Sequence, residues 1–172
     1  MRMVWIAAVL AALVGASGLA VKAQAAATTK IAVFNFELED KSAGAGIIAA
    51  DERDTRYLSE ATAQAGRMLA DTKRFALVDT TKVDLSTVGQ YGLRNCGGCE
   101  AGIARKLGAQ FALLGVVTRV NRTEHTLSIR VVDAASGQVV ATGFTDLRMG
   151  ANYAWPRSVK WLMEKQILAV KQ

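Results

Sequence analysis

Gln110-Phe-Ala-Leu-Leu-Gly-Val-Val-Thr-Arg-Val120 reads as a long strand whose first half is apolar on both faces, the pattern of a strand buried inside a sheet. Its neighbours follow from local signals. Upstream, Glu100–Leu107 carries Ala101, Ile103, Ala104 and Leu107, a short helix stopped by Gly108, a residue that tolerates the left-handed conformation of a helix end. Downstream, Leu127, Ile129 and Val131 alternate with Ser128 and Arg130, the period of a half-buried antiparallel strand. Asp133-Ala-Ala-Ser-Gly137 is a turn, and Gln138–Leu147 returns as another strand, completing a meander.

Further upstream, Lys30-Ile-Ala-Val-Phe-Asn-Phe36 is β-branched and aromatic, a buried first strand expected near the middle of the sheet. Glu37–Ala50 is acidic and then Gly- and Ala-rich without a sustained period, and is expected to be a flexible loop. In Asp51–Thr72 acids open the segment, and Tyr57, Ala61, Ala65 and Met68 recur at helical spacing with Leu58 and Leu69 alongside. Arg53, Arg56, Glu60, Gln64 and Arg67 form the solvated face of this helix. Arg74–Asp79 follows at once as a strand, so the first two strands form a β-α-β unit and should pair in parallel. Thr80–Asn95 is polar and irregular. The chain closes with a helix whose Trp155, Val159, Met163 and Ile167 share a face, with Pro156 in the first turn, where its missing N–H costs nothing. The expected fold class is α/β (α+β): a single mixed β-sheet of about five strands, ordered β-α-β-α-β-β-β-α and packed by helices.

The first residues set the compartment. Arg2 precedes an apolar stretch from Val4 to Val21, and Ala23-Gln24-Ala25 offers small residues where a signal peptidase reads them, so cleavage is expected between Ala25 and Ala26. An uncleaved anchor is the competing reading, but Gly15, Ser17 and Gly18 suit processing better than a stable span. The expected organisation is a signal peptide over 1–25 and one domain over 26–172, periplasmic and without stable membrane insertion after cleavage. A hydrophobic fraction of 51% and a single Pro fit a cored domain rather than a disordered chain. The formal charge of +6 includes Arg2 and Lys22 of the leader. Other basic residues come in pairs, Lys73-Arg74 and Arg105-Lys106, without the aromatic interleaving of a nucleic-acid groove, so no nucleic-acid partner is expected.

Cys96-Gly-Gly-Cys99 at the mouth of a helix is the sharpest local feature. Outside the cytoplasm the two thiols are expected to be oxidised, and either a structural disulfide or a thiol–disulfide exchange site fits. The structural reading is preferred because no strand leads directly into the motif as it does in thioredoxin-like proteins, and no proline stands as a candidate to face it in cis. With His125 as the only histidine, expected in a turn between strands, a zinc site lacks ligands. Glu100 stands where haem attachment requires His. Glu37, Glu39, Asp40, Asp51, Glu52 and Asp54 bracket the Gly-rich loop without the spacing of a calcium loop, and are expected to be solvated or to cap a helix. Gly44 and Gly46 complete no phosphate-binding motif, no Gly-x-Ser-x-Gly is present, and Asn121-Arg-Thr123 is a chance sequon. The residues therefore imply no catalytic site, no metal and no cofactor. Tyr153 and Trp161, near the core residue Trp155, are the candidate partner-binding aromatics.

Lys30–Phe36, Leu107-Gly-Ala-Gln-Phe-Ala-Leu-Leu-Gly-Val116 and Asp133-Ala-Ala-Ser-Gly-Gln-Val-Val140 together resemble the TolB amino-terminal-domain and CsgG-like group. The chain is also similar to an exported bacterial family of unknown function with a Cys-x-x-Cys before the central strand. The resemblance implies an envelope-associated protein–protein interaction module and brings no catalytic residue with it. The β-propeller of TolB and the lipidated cysteine and barrel segments of CsgG are missing, so neither translocation nor pore formation is implied. Three functions remain in order of preference: a non-enzymatic periplasmic accessory protein that binds another envelope protein, a redox protein acting through Cys96 and Cys99, and a small-ligand or cation carrier using the acidic loop.

Overall fold

In a computed structural model of the chain, residues 28–47, 50–83, 88, 92–147 and 155–169 are described. The expected leader, the cleavage point Ala25/Ala26 and Tyr153 lie outside them. The elements are β1 (Thr29–Val33), β2 (Glu37–Asp40), α1 (Glu52–Asp71), β3 (Phe75–Val78), α2 (Cys99–Lys106), β4 (Phe111–Arg119), β5 (His125–Asp133), β6 (Val139–Leu147) and α3 (Trp155–Leu162), which widens into a π-helical turn over Met163–Ile167. They build one mixed sheet in the order β3-β1-β4-β5-β6, with β2 also on β4. β1 pairs in parallel with β3 and β4, and β4, β5 and β6 are antiparallel, as the β-α-β unit and the meander require.

The segment expected to be one loop after Phe36 begins instead as β2, which continues beside β4 where β1 stops. Val33 is opposite Leu113 and Glu37 is opposite Val116, so three residues of one strand face two of the other. The extra residue is an exposed Asn35, and the bulge reverses the alternation: Phe34 is buried on one side of the sheet and Phe36 on the other. Phe36 lies flat over Gly115, where a Cβ would come within 2.3 Å of its ring. Only a glycine at this point of β4 lets the bulged strand close onto its neighbour.

Each face of the sheet has its own core. On one side α1 and α3 pack Tyr57, Ala61, Ala65, Leu69, Trp155 and Val159 against Ile31, Leu113, Val117, Leu127 and Ile129. On the other, α2 packs Ala101 and Ala104 against Ala32, Ala112, Leu114 and Val132. The α1 stripe passes from Ala65 to Leu69, with Met68 only half-buried at its margin. α1 starts with a capping box: Asp51 Oδ1 accepts from the Asp54 N–H at 2.8 Å, and Asp54 Oδ2 accepts from the Asp51 N–H at 3.3 Å. No helix among the described residues is long and apolar enough to cross a membrane.

Candidate functional site

Cys96 and Cys99 are joined by a disulfide at the start of α2. Gly97 and Gly98 between them have φ of 70° and 94°, a left-handed path that side chains rarely adopt and that folds the Cys96 sulfur back over the first turn of the helix. The backbone N–H of Cys99 donates to Cys96 Sγ at 3.1 Å. The same sulfur lies 3.2 Å from the Leu93 carbonyl oxygen and 3.6 Å from Glu100 Oε2. Glu100 is 2% exposed, and its other oxygen is held by Arg130 of β5 at 2.7 and 2.8 Å. A cavity of about 440 Å³ adjoins the bridge, lined by Val88, Cys96, Cys99, Ile103, Arg105 and Lys106 among others.

The turn before the bridge is clamped from the sheet. Glu37 of β2 accepts from the backbone N–H groups of Leu93 and Arg94 at 2.7 and 3.0 Å and pairs with the Arg94 guanidinium at 3.1 Å. Gly92, with φ of 69°, lets that carboxylate approach, since a Cβ there would sit 2.7 Å from it.

Among the remaining acids Asp51 and Glu52 are exposed as expected, but Asp40 and Asp54 are not solvated. Asp40 binds Arg119 Nη1 at 3.0 Å, Asp54 binds Arg119 Nη2, and all three side chains are largely buried. Burial alone would raise the Asp40 carboxyl, but hydrogen bonds from Ser42 and the Arg119 guanidinium hold it below the ordinary carboxylate range. Asp51 caps α1 as expected. His125, expected in a turn, is the first residue of β5, opposite Arg119 and 3% exposed. Its ring centroid is 6.0 Å from that of Trp155. Burial pushes its pKa down, the Arg119 charge pushes the same way, and Asp54 and Asp40 pull against them. Alternation along β5 puts His125 on the α1/α3 side with Leu127 and Ile129, whereas Cys96 and Cys99 pack with the α2 side. The sheet therefore separates the histidine from the cysteines. Cys96, Cys99 and Glu100 instead bring one potential ligand atom each within 4.8 Å of one another. Glu100 follows Cys99 directly, but its role as a buried neighbour of the sulfur depends on Arg130, 30 residues away.

The third feature is the edge of the sheet at β6, which among the described residues pairs with β5 alone. Its Ala141 and Leu147 point into the core under α3, while Val139, Val140 and Phe144 are exposed, Val139 and Phe144 to 56%. Phe144 presents its N–H and C=O away from β5, where the Gln166 side-chain amide receives the first at 3.1 Å and donates to the second at 3.3 Å. α3, which packs on β6, leaves Trp161 46% exposed, as its place off the apolar stripe predicts.

No curated protein sequence matches the chain. Among solved structures, it is similar to the LpoB C-terminal domain from Salmonella enterica, with 18% identity over 74% of this chain and 87% of that one and a TM-score of 0.49. It is similar to lipoprotein GNA1162 from Neisseria meningitidis, with 16% identity, 84% and 99% coverage and a TM-score of 0.49. The PelC dodecamer from Paraburkholderia phytofirmans gives 14% identity, 79% and 86% coverage and a TM-score of 0.45. A family profile matches residues 29–167, from the first strand to the end of the last helix, and the chain belongs to that family, DUF3280, whose description is "Protein of unknown function (DUF2380)".

Proposed function

We propose that this chain is an exported accessory protein of the bacterial envelope that binds another envelope protein along the β6 edge of its sheet. The observation that carries the reading is β6. Edge strands are ordinarily blunted by charge, proline or a covering element, because their unpaired N–H and C=O groups template a further strand. Here nine residues form the edge, three apolar side chains, Val139, Val140 and Phe144, stand exposed on it, and at Phe144 the guard is one side-chain amide. By the two-residue period, Thr142 and Asp146 direct their N–H and C=O groups outward with those of Phe144. An extended segment of a partner would hydrogen-bond to these groups, displace Gln166 and cover Phe144, the mode of β-strand addition. The leader-like Met1–Ala25 supports the envelope address. The acidic loop offers little to a cation carrier, since Glu37, Asp40 and Asp54 are committed to Arg94 and Arg119.

The test is affinity capture from an envelope extract with the wild-type chain, Phe144→Lys, Trp161→Lys and, as a control at another exposed apolar residue, Ile47→Lys. A partner retained by the wild type and the control but lost with Phe144→Lys supports the reading, as does slowed amide exchange at Thr142 and Asp146 in the complex. Identical capture by all four proteins refutes it.

A further inference from the structure

We propose that Cys96 and Cys99 are a thiol–disulfide exchange couple for protein or peptide dithiols, with Cys96 Sγ as the sulfur that is attacked and Glu100 as the acceptor of its thiol proton. The surroundings of Cys96 suit the reduced state better than the oxidised one. The Cys99 N–H, at the start of α2, offers a donor at 3.1 Å that matters little to a neutral disulfide and strongly stabilises a thiolate. The Leu93 carbonyl and Glu100 Oε2, at 3.2 and 3.6 Å, are acceptors for a proton that a disulfide sulfur lacks and a thiol carries. Both protonation states of a free Cys96 are thus provided for. Arg130 holds Glu100 Oε1 and leaves Oε2 directed at the sulfur, which gives a carboxylate at 2% exposure a use that a plain staple does not require.

The bridge is also a poor staple. It joins residues three positions apart, so it closes a very short loop, and the turn before it is already held by Glu37 on two backbone N–H groups. The adjoining cavity, with Val88 and Ile103 beside Arg105 and Lys106, fits a cysteine-bearing segment with an apolar neighbour and an acidic flank.

In the oxidising direction, a thiolate of the dithiol attacks Cys96 Sγ. The bond between the two cysteine sulfurs breaks, and its electron pair leaves on Cys99 Sγ, which takes a proton from water. The second thiol of the dithiol loses its proton to solvent and attacks the substrate sulfur bound to Cys96. That bond breaks and its pair leaves on Cys96 Sγ, which is held by the Cys99 N–H and protonated through Glu100. The dithiol has lost two electrons and two protons and become a disulfide, and Cys96 and Cys99 have gained them. In reverse, Glu100 takes the Cys96 proton and the thiolate attacks a disulfide.

The disulfide packs with the same sheet face on which Phe144 is exposed, yet exchange does not require the docking strand, because glutathione is a sufficient probe. The full chain is equilibrated in mixtures of reduced and oxidised glutathione, acid-quenched, alkylated and weighed. The expected result is one reversible two-electron transition within the range of ratios glutathione can set. A bridge that stays intact throughout, or opens only when the chain unfolds, overturns the proposal. In the single variants, Cys99→Ser should form a glutathione adduct at Cys96 at least about tenfold faster than Cys96→Ser does at Cys99. Adding Glu100→Gln to Cys99→Ser should shift the pH profile of Cys96 alkylation. Equal adduct rates, or a profile that Glu100→Gln leaves in place, count against it as decisively as an inert bridge.

Discussion

Replacing Gly115 with alanine tests the bulged strand that organises the sheet. The new Cβ would lie 2.3 to 2.4 Å from Cε2, Cδ2 and Cζ of Phe36, a ring that is itself buried. Carbon atoms pack at about 3.5–4.0 Å, so the overlap exceeds about 1 Å and cannot be absorbed by a rotamer change in a filled core. Overpacking of this kind costs about 1–3 kcal/mol, offset by about 0.4–1 kcal/mol from the stiffer unfolded chain. The net loss centres on about 1.3 kcal/mol, or roughly 3–5 °C in Tm for a chain of this size. Phe36→Leu deletes Cε2 and Cζ, two of the three atoms in the clash, at a cost of its own of about 1–2 kcal/mol. The two changes together should therefore destabilise by less than their sum, by about 1 kcal/mol or more. Urea unfolding followed by tryptophan fluorescence, with Trp155 buried in the α1/α3 core, reads all four proteins. Additive losses would refute the close approach of Phe36 and Gly115, and with it the bulge at Asn35.

Three further outcomes rest on the buried charges and the bridge. The pKa of His125 is depressed in the folded chain, so near pH 6 the unfolded state binds more protons. Its contribution is complete above the unfolded value of 6.5 and is lost as pH falls through it; urea midpoints should drop between pH 7.5 and about 5 in the wild type and change less in His125→Gln. Asp40, also depressed, adds a second loss as pH falls through 3.8, which Asp40→Asn should remove. Reducing the Cys96–Cys99 bridge, which closes a four-residue loop, should lower stability by about 2 kcal/mol or less while near-ultraviolet circular dichroism stays native, because Glu37 still holds the preceding turn.

How far the chain could be read without its structure depends on the range of each interaction. The strand at Phe111–Arg119, the alternation at Leu127–Val131, the turn at Asp133–Gly137 and the apolar stripes of α1 and α3 are local patterns, and all were legible. Lys30–Phe36 was legible as a strand but not as an interrupted one, because the bulge at Asn35 is set by register against β4, some 80 residues away. For the same reason the acidic stretch after Phe36 read as a loop, although Glu37–Asp40 is β2.

The sequence by itself determined the parallel unit, the meander, the position of the two cysteines at a helix mouth and the exposure of Trp161, since each follows from the periodicity or spacing of neighbouring residues. Only the tertiary structure decided that Asp40 and Asp54 converge on Arg119, that His125 lies across the sheet from the cysteines, that Glu100 and Arg130 meet beside Cys96, and that Gln166 guards the edge at Phe144. A charged or polar side chain carries no local signal of its partner. Its partner is whichever group the folding of distant segments brings within reach, and burial then makes that pairing obligatory.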